Sequence, residues 1–330
     1  MAAGWKLKEG NLDSGIIPED AYWSLFNYLF SEKSRKRNSY KFGLLKSILD
    51  CVHLANATTD FSIHYSDIFA HFTQNYWNLV VKYKLRQMRP DGQSEVSAIE
   101  QVLFCALEKH CDNIVVPFDS LSEETRETII NNVLLVCKKY VIGALYQDFS
   151  GKLFGFNRFS NILVFNKCAV SFMMKYKHTL EVLNYYYWAK FLETIEYNNN
   201  ATLLIDKLEL ATPKRTDLSA YRDILLKKTD AVCFYCGKPL TKDDIHVDHF
   251  IPWSFLHDDQ LWNFVLSCSK CNIRKSNKIV EAKLSKIIEQ NKILLLDKEC
   301  SDFMKSYSES DYVLLLFFAK VQGCLTVESL

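Results

Sequence analysis

Apolar residues recur at helical spacing along most of the first two hundred residues of this chain. The segments with this pattern are residues 18–57, 61–88, 96–110, 122–140 and 161–195. Pro18-Glu19-Asp20 and Ser122-Glu123-Glu124 place proline, serine and acidic residues where helices begin. Arg89-Pro90-Asp91-Gly92 and Asn198-Asn199-Asn200 predict interruptions. The pattern therefore predicts a helix-rich N-terminal region.

The periodicity changes at two places. Residues 141–156 alternate around Phe149-Ser150-Gly151, which predicts a β-hairpin. Thr212-Pro213-Lys214-Arg215 predicts a boundary, and helices are expected after it at residues 221–228, 279–296 and 311–322. We expect a helix-rich recognition or partner domain at residues 1–220, a compact module at 221–285 and a helical extension at 286–330. The predicted fold class is mostly α with a small α+β module.

Composition and charge narrow the classes of function. The chain is 48% hydrophobic and 14% aromatic, so it can bury a sizeable core. Its net charge is only +1, so binding to nucleic acid would have to use local basic patches. The first 30 residues lack a signal pattern, and no window of 18 or more apolar residues predicts a membrane span. Of the 11 cysteines, seven are scattered, mostly in apolar surroundings, which indicates a reducing, cytoplasmic setting.

The other four cysteines form two CxxC pairs in one short segment. They are Cys233, Cys236, Cys268 and Cys271, with Gly237 directly after the first pair. Each CxxC turn places two thiolates on one side of a tight loop, and two such turns complete the tetrahedral coordination of Zn²⁺. Four thiolates leave no open position, so the predicted zinc is structural.

A second set of polar residues lies between and just after these cysteines. Residues 245–249 predict a short strand that ends before Pro252, and Val265-Leu266 predicts its partner. Asn272 begins a segment that can continue as a helix. The expected order is strand, loop, strand and helix, and it carries Asp248-His249, Asn263 and Asn272 in sequence.

Residues 231–280 resemble the HNH (ββα-metal) nuclease family. The matching pieces are VDHFIPWS, WNFVLSC and CSKCNIRKSNK. The order Asp-His, Ser-Phe-Leu, Asp-Asp, Asn and Asn-x-x-Lys is similar to the HNH domain of RNA-guided CRISPR nucleases. The cysteine pairs look like the zinc knuckles of restriction- and phage-type HNH enzymes. The family often has His at the third position, where this chain has Asn272.

The residue chemistry agrees with this resemblance. His249 can act as general base, because its ordinary pKa lies near working pH. Asn263 is expected to hold the imidazole through a side-chain hydrogen bond. Asp248 and Asn272 offer hard oxygen ligands for catalytic Mg²⁺ or Mn²⁺. Arg274, Lys275 and Lys278 are candidate contacts to phosphate. His246 and His257 are interpreted as solvated side chains rather than catalytic ones.

The expected function is hydrolysis of DNA phosphodiester bonds, as a nick or, in a homodimer, a double-strand break. A restriction or anti-phage role, as effector of a complex, follows by analogy. The alternative is a non-catalytic zinc-containing subunit that binds nucleic acid or acts as a scaffold. RNA is a further possible substrate, because the chemistry needs only a phosphodiester.

The N-terminal region could recognise DNA, dock a partner protein or dimerise. Its basic clusters are residues 33–41 and Lys82, Lys84, Arg86 and Arg89. We interpret both as solvated helix faces, with phosphate binding as the alternative. The run Tyr185-Tyr186-Tyr187-Trp188 is interpreted as core or a partner interface, with base stacking as the alternative.

Overall fold

The computed structural model describes residues 6–56, 58–90, 96–199, 201–211, 217–256, 258–321 and 324–329. The chain divides into two compact units. The helical unit comprises Met1–Ala55 with Thr59–Lys214, and the C-terminal unit comprises Arg215–Leu330 with Asn56–Thr58. The fold is mostly α with small sheets, as predicted.

The helical unit contains helices α1 to α9. Their bounds are α1 Glu19–Phe30, α2 Tyr40–Ala55, α3 Tyr65–Tyr76, α4 Ala98–Cys111, α5 Glu123–Tyr140, α6 Ile142–Phe149, α7 Lys167–Lys175, α8 Lys177–Glu193 and α9 Leu204–Ala211. A π-helical segment, Trp77–Lys82, continues α3. Helix α2 is buried on almost every side, since it forms the centre of this unit. Aromatic rings surround it, including Tyr76 and Trp188.

A four-stranded sheet accompanies these helices, in the order β1-β3-β4-β2. The strands are β1 Glu9–Gly10, β2 Ser62–His64, β3 Phe154–Asn157 and β4 Ile162–Phe165, and each pairing is antiparallel. Strands β2 and β4 begin two segments, residues 61–88 and 161–195, that were predicted as helical throughout. Both strands are short and pair with each other at long sequence separation, which helical periodicity does not reveal.

The predicted hairpin at residues 141–156 is wrong. Residues Ile142–Phe149 form helix α6 instead, and Ile142, Leu145 and Phe149 lie at helical spacing on its buried face. Ser150 and Gly151 have positive φ angles of 51° and 77°, so they end the helix and lead into β3. The turn signal was real, but it separates a helix from a strand.

The predicted helix cap at Ser122 is present, and a further cap that was not predicted lies at Ser97. Ser122 caps α5 by accepting a hydrogen bond from the Thr125 amide. Ser97 and Glu100 form a reciprocal capping box on α4. The predicted interruptions lie only partly within the described residues. Arg89 and Pro90 are described, and so are Asn198 and Asn199, which lie at the end of a 3₁₀ turn. Asp91, Gly92, Asn200 and Thr212–Arg215 lie outside the described residues.

The C-terminal unit has a ββα arrangement with helices on either side. Its elements are α10 Ser219–Lys228, β5 His246–His249, α11 Trp253–Leu256, β6 Phe264–Ser267, α12 Ser269–Lys275, β7 Ile279–Val280, α13 Leu284–Leu296, α14 Glu309–Val321 and β8 Thr326–Val327. Strands β5 and β6 are antiparallel, with His249 opposite Phe264. The helix expected over residues 279–296 starts only at Leu284, because Ile279 and Val280 pair with β8.

The region after α12 packs on the ββα arrangement. Tyr312 of α14 is buried, and its ring contacts Phe250 and Trp262. Asn291 of α13 donates a hydrogen bond of 2.7 Å to the Trp262 carbonyl. These contacts bury the aromatic residues that flank the small sheet.

Within the described residues, no single helix has the length and apolar character needed to cross a bilayer. One bent pair, Glu123–Tyr140 with Ile142–Phe149, meets these criteria only when its two helices are taken together.

Candidate functional site

The four cysteines of the two CxxC pairs converge at one point. The sulfur atoms of Cys233, Cys236, Cys268 and Cys271 all lie within 4.8 Å of one another, and Cys236 Sγ is 4.0 Å from Cys268 Sγ. Tetrahedral zinc with Zn–S bonds of about 2.3 Å requires sulfur–sulfur separations of roughly 3.8 Å. The donor set and its spacing therefore fit a structural zinc ion.

Local geometry shapes both halves of this cluster. Gly237 has a φ angle of 73°, and its amide donates to the Cys233 carbonyl at 2.8 Å, which closes the first turn. In the second half, Cys268 is the N-cap of α12 and Cys271 lies in its first turn. The cluster thus joins the loop before β5 to the start of α12.

The electrostatics of the thiols also favour a bound cation. Burial raises the pKa of Cys233, but the backbone N–H groups of Cys236, Cys268 and Tyr235 outweigh it and lower the pKa to about 7. The pKa of Cys271 is raised, first by burial and then by the neighbouring thiols. A divalent cation would allow all four to ionise together. No disulfide joins any of the eleven cysteines, all of which lie in described parts of the chain.

His249 lies at the end of β5, and its ring contacts Asp259. The distance from His249 Nε2 to Asp259 Oδ1 is 2.7 Å, and the two side chains are 4% and 11% exposed. The imidazole and the Phe264 ring also pack edge to face, with ring centroids 4.7 Å apart. The backbone carbonyl of His249 accepts a hydrogen bond of 2.6 Å from Lys275 Nζ. The residue is thus fixed at both its ring and its backbone.

Asn263 does not hold the imidazole, contrary to the expectation from the sequence. Its Oδ1 accepts from the Ile251 amide at 2.8 Å, and its Nδ2 donates to the Ile251 carbonyl at 2.9 Å. The Asn263 carbonyl accepts from the Phe250 amide at 2.8 Å. The side chain is fully buried. Asn263, the residue directly before β6, therefore fixes the backbone of the turn after β5.

Asp248 is nearly buried and is held through one carboxylate oxygen. Tyr235 Oη donates to Asp248 Oδ2 at 2.5 Å, and Lys275 Nζ lies 3.3 Å from the same atom. Burial, followed by the charge of Asp248, raises the pKa of Tyr235 well above its ordinary value. The phenol therefore stays protonated and donates its hydrogen. This arrangement fixes the carboxylate at the end of β5.

Lys275 was expected to contact phosphate, and its position corrects that expectation. It is 1% exposed, and its ammonium joins Asp248 and the His249 carbonyl. A buried ammonium held in this way orients the site rather than meeting a ligand from solvent.

Asn272 lies three residues before Lys275 on α12 and is half-buried. Residues three apart share a helix face, so Asn272 lies on the face of α12 that Lys275 turns toward β5. Lys275 thus joins α12 to the end of β5 that carries Asp248 and His249, and Asn272 lies on the same side of that helix.

The remaining candidate residues are more peripheral. Arg274 is exposed, and Lys278 is half-buried with its Nζ donating to the Arg274 carbonyl at 3.0 Å. His246 Nε2 is 3.9 Å from Asp244 Oδ1, and 43% of the His246 side chain is exposed. This position agrees with a solvated histidine. His257 lies outside the described residues.

Several basic residues of the helical unit are engaged within it. Lys41 pairs with Asp148 at 2.7 Å, and Lys36 Nζ donates to two backbone carbonyls. Arg86 lies over the Tyr197 ring and Arg89 over Phe191. In the aromatic run, Tyr185 and Trp188 are buried and Tyr186 is 46% exposed. Tyr185 and Trp188 thus belong to the core, which agrees with the interpretation of the run as core or a partner interface.

Asp259 and Tyr235 also belong to this site, and neither was predicted from the sequence. A signal for each was present in the sequence. Asp259 belongs to the Asp-Asp pair ten residues after His249, and Tyr235 lies inside the first CxxC turn. Spacing alone does not show which residues a loop of this length brings back to the strand.

Comparison with known proteins agrees with this geometry over part of the chain. The family model of HNH endonucleases matches residues 233–280, which is about a seventh of the chain. No curated protein and no solved structure matches it. The matched segment contains all four cysteines, β5, β6 and α12, so the part of the chain that forms the ββα arrangement is the part that is similar to HNH endonucleases.

Proposed function

We propose that this protein is a metal-dependent HNH endonuclease that hydrolyses phosphodiester bonds of DNA. The observation that carries the proposal is the position of His249 beside Asp248 at the end of β5, with α12 fastened across it by Lys275. The match of residues 233–280 to HNH endonucleases supports the same reading.

The proposed chemistry assigns one task to each residue. His249 takes a proton from the attacking water as general base. Asp248 and Asn272 would hold one Mg²⁺ or Mn²⁺, since carboxylate and amide oxygens are the ligands that these ions prefer. When bound, the cation supplies positive charge for the scissile phosphate and the leaving oxygen. Tyr235 and Lys275 fix Asp248 through Oδ2.

The zinc-type cluster has a different task in the proposal. Cys233, Cys236, Cys268 and Cys271 would hold Zn²⁺ and anchor the first turn of α12. Because Asn272 follows Cys271 directly, the structural metal would also set the position of the catalytic ligand. Four thiolates complete the shell of zinc and leave the chemistry to the second cation.

Contacts with DNA are assigned to the exposed side of α12 and to the turn that follows it. Arg274 and Lys278 would meet phosphate oxygens, and Lys275 is removed from this set because it is buried.

A single site cuts one strand, so a double-strand break would need a homodimer or two nicks. Residues 1–220 would supply recognition, partner binding or dimerisation. The residues after 285 would form the helical extension. A cytosolic restriction or anti-phage role, as effector of a complex, is the biological part of the proposal.

A nicking assay tests the function directly. Supercoiled plasmid is incubated with Mg²⁺ and either wild-type protein or His249→Ala, and single-stranded DNA and RNA of the same sequence are compared. We expect nicking by wild type and loss of at least about 10²-fold in rate for the variant. If wild type does not cut any substrate and both proteins bind DNA equally well, a non-catalytic binding subunit is the correct reading.

A further inference from the structure

We propose that Asp259 is a positioning residue for His249. Its carboxylate would fix the imidazole as the tautomer with hydrogen on Nε2, which leaves Nδ1 as the nitrogen that takes the proton from water. This inference rests on the proposed function of His249 as general base.

The contact itself defines the direction of the hydrogen bond. His249 Nε2 is 2.7 Å from Asp259 Oδ1, and both side chains are shielded from solvent. An ionised carboxylate can only accept a hydrogen bond, so the ring nitrogen that faces it must be the donor. Phe264 packs against the ring at an interplanar angle of 68° and restricts its rotation. One tautomer and one ring orientation are therefore favoured.

Asp259 is held in place by its neighbours on the loop. Its amide donates to Asp258 Oδ1 at 2.8 Å, and Gln260 Nε2 donates to Asp258 Oδ2 at 2.8 Å. Its backbone carbonyl accepts from Tyr221 Oη of α10 at 3.2 Å. The carboxylate thus extends toward His249 from a backbone that is bonded on both sides.

A second connection reaches this loop from beyond α13. Ser306 Oγ donates to Gln260 Oε1 at 3.1 Å and accepts from Trp262 Nε1 at 3.0 Å. Ser306 and Tyr221 both lie outside residues 233–280, the segment that matches the HNH family. The orientation of His249 would therefore depend on parts of this chain that the family match does not cover.

Steady-state kinetics can measure the contribution of Asp259. Asp259→Ala should lower kcat for plasmid nicking by about 10²-fold to 10⁴-fold at saturating Mg²⁺, with KM changed less than about threefold. Asp302→Asn is the matched control, because its side chain is 80% exposed in the same unit, and its kcat should equal that of wild type. Asp259→Asn keeps the volume of the side chain and removes its charge. It should lower kcat by about tenfold or more, and it serves if the alanine variant fails to fold.

The tautomer of His249 can be measured by NMR, independently of nuclease activity. Wild-type protein and His249→Ala are labelled with ¹⁵N-histidine and compared at a pH where the imidazole is neutral. The signals that are missing from the spectrum of His249→Ala are those of His249. We expect hydrogen on Nε2 in wild type and a mixture of tautomers in Asp259→Ala. Hydrogen on Nδ1 in wild type, or a wild-type kcat in Asp259→Ala, would overturn the assignment. A wild-type protein with the expected tautomer but without nuclease activity would refute the proposed function and leave only the tautomer assignment standing.

Discussion

Replacement of Asn263 by alanine separates a structural role from a catalytic one. The side chain makes two hydrogen bonds to the backbone of Ile251, at 2.8 and 2.9 Å, and neither residue is exposed. Each bond contributes about 1 kcal/mol net, and an unsatisfied buried amide costs about 1–3 kcal/mol. We therefore expect the variant to lose about 3 kcal/mol of stability, or roughly 10 °C in the melting temperature of the C-terminal unit.

Two measurements test this loss of stability, one on the full chain and one at the Ile251 amide. Calorimetry on the full chain gives the melting temperature of the transition that the variant changes. Hydrogen exchange read by mass spectrometry over residues 248–256 reports the Ile251 amide directly. Exchange there should become faster in Asn263→Ala even below the melting transition, because that amide loses its acceptor.

Asn272→Ala is the matched control for this experiment. It removes the same kind of side chain from a half-buried position on α12, so its stability should change by less than about 0.5 kcal/mol while nicking is lost. The opposite pattern for Asn263→Ala would refute the reasoning. If that variant keeps its melting temperature and its Ile251 protection while nicking falls, Asn263 acts on the imidazole after all.

Four further outcomes are expected. Lys275→Met should abolish nicking and lower stability by about 3 kcal/mol or more in thermal melts, because it leaves the buried Asp248 carboxylate without its cation. Its control, Arg274→Ala, should fold normally and only weaken DNA binding, as measured in a salt titration. Cys268→Ser should lower zinc content, measured by elemental analysis, together with folded yield, and a well-folded, active, zinc-free variant would contradict the structural assignment. Chelation with EDTA should stop nicking, and added Mg²⁺ or Mn²⁺ should restore it while the four cysteines keep their zinc; recovery with zinc alone would count against the proposal. Tyr235→Phe should destabilise the fold by about 1 kcal/mol and raise the Mg²⁺ concentration for half-maximal nicking, and an unchanged Mg²⁺ titration would exclude its role on Asp248.

The secondary structure was predictable where its signals are local. Ser122 caps its helix through a hydrogen bond to the next turn of the same helix, so sequence order is enough to identify it. Strand β2 shows the limit. It has three residues, and its partner β4 lies about a hundred positions away, so no local pattern distinguishes it from the helix that follows.

The candidate site divides in the same way. The sequence by itself determined the two CxxC pairs, the ββα order and the positions of Asp248 and His249, because thiol spacing and strand alternation are properties of short segments. It did not determine which groups bond to them. Asn263 had the right chemistry for the imidazole, but the fold uses both of its amide groups on the backbone of Ile251.

Only the tertiary structure decided the side-chain partners. It brought Asp259 to His249, Tyr235 to Asp248, and buried Lys275 between the strand and the helix. The physical reason is that a buried charge must find an opposite charge or a hydrogen-bond partner in three dimensions. The path of the loops and the contacts made by α10 and by the segment before α14 determine which side chain becomes that partner. A linear motif contains neither.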